Sequence, residues 1–330
     1  ESHRGAAMTR RQRLFTLARW LFFLASVVYL VEFARQTVSG QYLKAALTAQ
    51  TLGYSGLAVL LFASTTAISV IGWCALLTGL RYPVDVRPAA AIFCYTQIGK
   101  YLPGNIGHYV GRATLAKTRL GIPAGTSAIS ITQEAALVAL SAILVGLTCY
   151  SLPDIASTTE LSMLVPPWVL LVAISTGAAL FISLVAAWRA RAIHLKNAIF
   201  RFVLLMTPTW SSIRATVPYY ACLSLINGLA VSIIAATWLT PSLHAFLLLT
   251  AAYTLSWLVG FLLPGAPGGL GVRESVFTLL LAGIFPPAVT LMVIGLVRIA
   301  TVCADFLVFL TGSYLMKQTP PYSCPTQPNS

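Results

Sequence analysis

The stretch Gln97-Ile98-Gly99-Lys100-Tyr101-Leu102-Pro103-Gly104-Asn105-Ile106-Gly107-His108-Tyr109-Val110-Gly111-Arg112 has a counterpart later in the chain. That counterpart is Gly260-Phe261-Leu262-Leu263-Pro264-Gly265-Ala266-Pro267-Gly268-Gly269-Leu270-Gly271-Val272-Arg273-Glu274. In both, Leu-Pro-Gly is followed by a Gly four residues after the Pro (Gly107, Gly268) and an Arg nine residues after it (Arg112, Arg273). Each motif lies between long apolar runs. A Pro-Gly pair breaks a helix there, because Pro has no N–H to donate and Gly tolerates unusual backbone. A bilayer admits broken backbone only where protein buries it or water lines it. Matched interruptions in two halves of a membrane protein point to a transporter binding site. The plainer reading is a pair of tight turns joining helical hairpins; the recurrence of Arg at one offset favours the functional reading.

Working outward, composition fixes the class. The chain is 58% apolar and 9% charged, with a mean hydropathy of +0.83. Soluble domains carry about a quarter charged residues, so this is an integral membrane protein. Its apolar runs have helical length, which excludes an alternating-strand outer-membrane barrel. A net charge of +13 would suggest nucleic acid in a soluble protein. Here the basic residues cluster between apolar runs, and the positive-inside rule accounts for them. No nucleic-acid partner is expected. Six cysteines show neither metal-ligand nor disulfide spacing and read as small buried hydrophobes or, for Cys324, as part of the tail.

Arg4, Arg10, Arg11 and Arg13 place residues 1–13 in the cytoplasm. A first span covers 14–34, with Arg35 and Lys44 a mild violation on its outer side. A second lies within 56–80. The segments 89–102 and 105–120 are each short for a ~30 Å core, so they read as a re-entrant hairpin. A span over 126–150, an outer loop 151–165 and a span over 167–187 follow. The basic segment 188–214 reads either as an amphipathic helix on the inner surface or as an ordinary cytoplasmic loop. Then come a span over 215–239, a second broken pair over 244–263 and 268–284, and a last span over 288–316. Residues 317–330 are a Pro-rich tail expected to be disordered and cytoplasmic. Three spans separate the two Leu-Pro-Gly elements, so they enter from opposite sides. The expectation is one all-α transmembrane domain over 14–316, with inverted-topology halves over 14–150 and 167–316.

Ionisable side chains in hydrocarbon cost ~2.5–3.5 kcal/mol on insertion scales and therefore need partners or roles. Lys100, Arg112, Glu134, Arg273, Glu274, Arg298 and Asp305 are the candidates. Asn105 is placed to cap a half-helix whose free N–H groups suit a phosphate or carboxylate. Gly268 and Gly269 open a second one with unhindered backbone. Arg112 and Arg273, ~12 Å beyond those starts, read as gate or headgroup contacts, or as structural ion pairs. Glu134 reads equally as a structural partner of Arg or as a proton carrier. Glu274 follows Arg273 directly, so the two point apart. The expected substrate site is Lys100, Asn105, Arg112, Glu134, Gly268, Gly269, Arg273, Glu274 and Arg298, with breaks at Pro103, Gly104, Pro264 and Gly265. No catalytic residues, metal ligands or cofactor are expected, and no P-loop occurs.

At these motifs the chain resembles the membrane-domain family of lysylphosphatidylglycerol synthases, which also exists as stand-alone membrane proteins. Residues 97–104 look like its first signature, 264–274 like its second, and Arg298 falls where the family tends to place an Arg. The resemblance spans about 14–316. It implies flippase-like lipid handling in the bacterial inner membrane, without the soluble domain that performs aminoacyl transfer in two-domain enzymes. The expected function is translocation of a phosphate-bearing lipid or lipid-linked headgroup in cell-envelope biogenesis. A membrane-embedded transferase acting on a lipid phosphate, or a non-catalytic partner of an envelope synthase or glycosyltransferase, are the alternatives.

Overall fold

The computed structural model describes residues 40–101, 106–151, 210–262, 269 and 271–319. Among these there are only helices and turns. In order they are α1 (Gly40–Ala46), α2 (Ala49–Gly79), α3 (Val86–Thr96), a 3₁₀ turn (Gln97–Tyr101), α4 (Gly107–Leu120) and α5 (Ala124–Tyr150). After these come α6 (Trp210–Ala235), α7 (Leu243–Leu262), α8 (Val272–Leu280) and α9 (Pro287–Gln318). The spans expected over 14–34 and 167–187, the segment 188–209 and the tail from 320 onward lie outside the described residues. So do the breaks themselves, Pro103, Gly104, Pro264 and Gly265.

Among the described residues five helices are long and apolar enough to cross a membrane: α2, α5, α6 (over Ile213–Ala235), α7 and α9. The 31 residues of α2 and the 32 of α9 extend about 46 and 48 Å, well beyond a ~30 Å hydrocarbon core. By contrast α3, α4 and α8 have 11, 14 and 9 residues and cannot cross alone. Hydroxyls inside these helices donate back to carbonyls one turn earlier, as Thr65 does to Phe62, Ser69 to Thr65 and Thr250 to Phe246. That local bonding lets polar residues live in an apolar helix. Helices meet through small residues, as membrane packing favours. A Cβ on Gly228 of α6 would fall 2.0 Å from the Thr250 hydroxyl of α7, and one on Gly312 of α9 would fall 2.3 Å from the Tyr95 nitrogen of α3.

The pairs α3–α4 and α7–α8 belong to different ends of the bundle. α3 and α4 pack with the last third of α2 in one core, around Trp73, Leu77, Ile92, Phe93 and Ala116. α7 and α8 share another with the early parts of α2 and α9 and the end of α6, around Ala58, Ile234, Leu249, Phe277 and Val293. Side-chain bonds mark the faces. Arg87, at the start of α3, donates to the Gln318 side chain at the end of α9. Arg119, at the end of α4, donates to the Thr319 carbonyl at 2.5 Å. Both the entry and the exit of the α3–α4 pair therefore lie at the face where α9 ends. Toward the other end, the Thr51 and Thr237 hydroxyls lie 3.2 Å apart, joining the start of α2 to the turn after α6.

Candidate functional site

Between the two cores lies a polar chamber of about 220 Å³. Its wall draws on α2 (Thr65, Thr66, Ser69), the 3₁₀ turn (Gln97, Lys100, Tyr101), α4 (His108, Tyr109, Arg112) and α5 (Glu134). α6 adds Ser224 and Asn227, α7 adds Tyr253, Thr254 and Trp257, α8 adds Arg273, and α9 adds Arg298, Thr301 and Asp305. Both broken pairs thus turn their interrupted ends toward one space. Close approach makes the first turn possible: a Cβ on Gly99 would sit 2.6 Å from the backbone nitrogen of His108. Only Gly lets the 3₁₀ turn lie against the start of α4 this tightly.

Three ion pairs organise the wall. Arg112 bonds Glu134, and both are buried. The Arg112 guanidinium also lies 3.8 Å from the Phe93 ring centroid and 5.3 Å from that of Trp73, a cation–π cradle. The Trp73 indole is fixed in turn by donating to the Ser130 hydroxyl at 3.0 Å. Lys100 reaches Asp305 at 2.7 Å, and the Tyr101 hydroxyl donates to the same carboxylate at 2.5 Å. Arg298 meets Glu274 at 2.5 Å. The other oxygen of Glu274 accepts from the Gly271 N–H at 2.7 Å, which caps α8. Gly271 can open that helix because its φ of 85° is cheap only for glycine.

Arg273 is different. No carboxylate reaches it among the described residues, and its Nε, like that of Arg112, is buried without a hydrogen-bond partner. It runs through a slot between two glycines. A Cβ on Gly260 would lie 2.6 Å from its Cγ, and one on Gly269, at φ 72°, would lie 2.8 Å from its Nε. Its guanidinium stands 5.8 Å from the Trp257 ring centroid. It is also the second residue of α8, beside the positive end of the helix dipole. This corrects the expected separation of ~12 Å between Arg273 and its helix start: α8 begins at Val272 rather than near Gly268, with Gly271 at its N-cap in a positive-φ conformation. Likewise α4 begins at Gly107, with Ile106 rather than Asn105 in the capping position and no side-chain cap.

Of the expected site residues, Lys100, Arg112, Glu134, Arg273 and Arg298 line the chamber, and Glu274 stands behind Arg298. Gly269 is part of the Arg273 slot; Asn105 and Gly268 fall outside the described residues. As the order Arg273-Glu274 implied, the two residues serve different neighbours. Sequence reasoning missed Tyr253, Trp257, Gly99 and Gly260, whose stretches of apolar or small residues carry no distinguishing signal. Among the described residues no group of three or more His, Cys, Asp or Glu is arranged to hold a metal.

The arrangement is that of a polytopic α-helical membrane protein with a charged chamber inside the bundle. Residues 7–308 match the family described as Lysylphosphatidylglycerol synthase TM region, and the chain belongs to it. A comparison with curated proteins finds no match to the chain.

Proposed function

We propose that the protein is a lipid translocase of the cell envelope. Its two broken-helix pairs hold the headgroup of a phosphate-bearing lipid, or of a lipid-linked precursor, while the acyl or prenyl chains stay in the bilayer. The observation that carries this reading is Arg273, a guanidinium without a carboxylate partner among the described residues, facing a chamber shared by both pairs.

The same architecture supports an inverted repeat in which α2–α5 answers to α6–α9. α2 packs against α6, α3 against α9 and α7 against α5, so each half embraces the other through equivalent helices. Arg112–Glu134 joins α4 to α5 and Glu274–Arg298 joins α8 to α9, equivalent helices with their charges exchanged. The pairs α3–α4 and α7–α8, rooted at opposite ends, would then be the re-entrant elements of the two halves. Arg87, Arg119 and Lys317 gather at one face, which the positive-inside rule assigns to the cytoplasm of a bacterial inner membrane, together with the C-terminus.

A membrane-embedded transferase would need a free acid or base beside the phosphate. Glu134, Glu274 and Asp305 are each held by a cation, which weighs against a carboxylate in that role; the one base that lines the chamber without a carboxylate beside it is His108, whose buried Nδ1 has no hydrogen-bond partner among the described residues. Purified protein in proteoliposomes with labelled lipids tests the proposal. Redistribution between leaflets that is lost in Arg273→Gln is the expected result. A covalent lipid product would replace the proposal with a transferase, and neither outcome would leave a non-catalytic partner of an envelope synthase.

A further inference from the structure

His108 is the second residue of α4; it is 8% exposed and lines the chamber. Its Nδ1 is buried with no hydrogen-bond partner among the described residues. A histidine that only fills an apolar core satisfies its ring nitrogens locally, because a buried polar atom left unpaired is costly. This one instead adjoins a polar space. Arg112, one turn further along α4, lies on the same face. The close approach of Gly99 to the His108 backbone brings the turn that carries Lys100 against it. A proton on the ring would therefore sit beside two cations, although the Tyr109 ring, its centroid 3.7 Å away, offers the charged form a π face. The other titratable or charged groups that line the chamber are Tyr101 of the 3₁₀ turn, Tyr109 of α4, Glu134 of α5, Tyr253 of α7, Arg273 of α8, and Arg298 and Asp305 of α9. Glu134 and Asp305 are held by cations, and Tyr, Lys and Arg ordinarily titrate near ~10 or above. Imidazole is the group in this wall whose ordinary pKa, ~6.5, lies within the physiological range.

We propose that His108 is a proton-binding site, and that the proton it takes crosses the membrane together with the anion in the chamber; this rests on the lipid-handling reading above. The ring accepts its proton when a negatively charged group enters beside Arg112 and Lys100 and offsets them. It releases the proton when that group leaves. Anion and proton thus promote each other's binding, and linkage makes the effect reciprocal. The carboxylates do not fill this role, since protonating Glu134 or Asp305 would strand its cation in a low-dielectric space. The consequence is an energy source: a pH difference across the membrane draws the lipid from the acid side to the alkaline side.

The test uses full-length protein in proteoliposomes with labelled phosphatidylglycerol, a probe anion that has no second proton to lose. Redistribution is followed with the starting side of the lipid about two pH units more acid, a step that spans the imidazole range, and again with the gradient reversed. The wild type is expected to move lipid several-fold faster from the acid side than from the alkaline side. In His108→Gln the ratio of those two rates should fall to unity. If His108→Gln does not fold, the wild type decides alone in weakly buffered detergent. Binding of short-chain phosphatidylglycerol should then draw protons from solution, and affinity should rise roughly 10-fold from about pH 7.5 to about pH 5.5, as one proton on an imidazole requires. Equal rates in both directions, binding without proton uptake, or gradient dependence that persists in folded His108→Gln each overturns the proton site and leaves lipid handling intact. Faster movement from the alkaline side overturns the shared direction of proton and anion. A covalent lipid product that is lost in His108→Gln overturns the proposal in favour of an acid–base catalyst. No movement under either gradient defeats the lipid-handling reading and the proton site with it.

Discussion

Gly260 and Arg273 share one volume: the Cβ that Gly260 lacks would stand 2.6 Å from the Arg273 Cγ. The helix that ends before the second break is therefore shaped by a side chain that follows it. Gly260 is to Arg273 what a groove is to a rod.

Gly260→Ala should move Arg273 without removing its charge. The Arg stem can yield, so the unfolding temperature is expected to fall by only a few degrees. Lipid movement should fall several-fold, because small misplacements of a positioning group are costly. Parallel proteoliposome and thermal measurements check this. Full activity in Gly260→Ala would show that the position of Arg273 does not matter.

Arg112 and Glu134 should behave as a structural unit. Removing one member leaves a buried charge alone, which costs roughly 3–5 kcal/mol, whereas an apolar replacement of both is far milder. Arg112→Ala and Glu134→Ala are each expected to reduce the yield of folded protein sharply. Arg112→Met combined with Glu134→Leu should recover much of it in denaturation assays. If the single variants are as stable as wild type, the pair does not hold α4 to α5.

Helix contacts through Gly312 and Gly228 should be intolerant of one methyl group. The Cβ of Gly312→Ala meets Tyr95 and Cys94 backbone, and that of Gly228→Ala meets Thr250 at 2.0 Å. Each substitution is expected to destabilise by about 1–3 kcal/mol, with Gly312→Ala the worse because backbone yields less than a side chain. Thermal denaturation in detergent reads the order. A neutral Gly312→Ala would mean that α3 and α9 can separate freely.

Labelling should sort the described turns into two faces. In a background without Cys222, Cys303 and Cys324, cysteines placed at Lys117 and Lys317 are expected to react with an impermeant reagent from one side. One at Ser242 should react from the other. Labelling of Lys117 and Lys317 from opposite sides would be incompatible with the Arg119–Thr319 contact and with re-entry of α3–α4.

The ionisable residues were the most legible part of the site. Lys100, Arg112, Glu134, Arg273, Arg298 and Asp305 all line the chamber, because an apolar helix tolerates such groups only where something answers them. Their partners were not legible. Nothing local to Lys100 points to Asp305, which lies 205 positions away, and Arg112 might as readily have served a ligand as Glu134. Helix extents were close for the long spans, where apolar runs set the length. The start of α8 was misplaced because Gly268, Gly269 and Gly271 all permit a break, and only the capping bond to Glu274 selects the last. Trp257 and Tyr253 were hidden by composition, since aromatic residues in a membrane helix are commonplace whether or not they face a cavity.

α9 carries Arg298 and Asp305 on one side, two turns and about 10 Å apart. The first is bound to α8 and the second to the turn after α3. A single rigid rod is thus pinned to both broken elements, at two points along its length. Tilting it about either pin pulls on the other, as a beam resting on two hinges transmits load. While both pins hold, the turn after α3 and the start of α8 are tied to each other through α9.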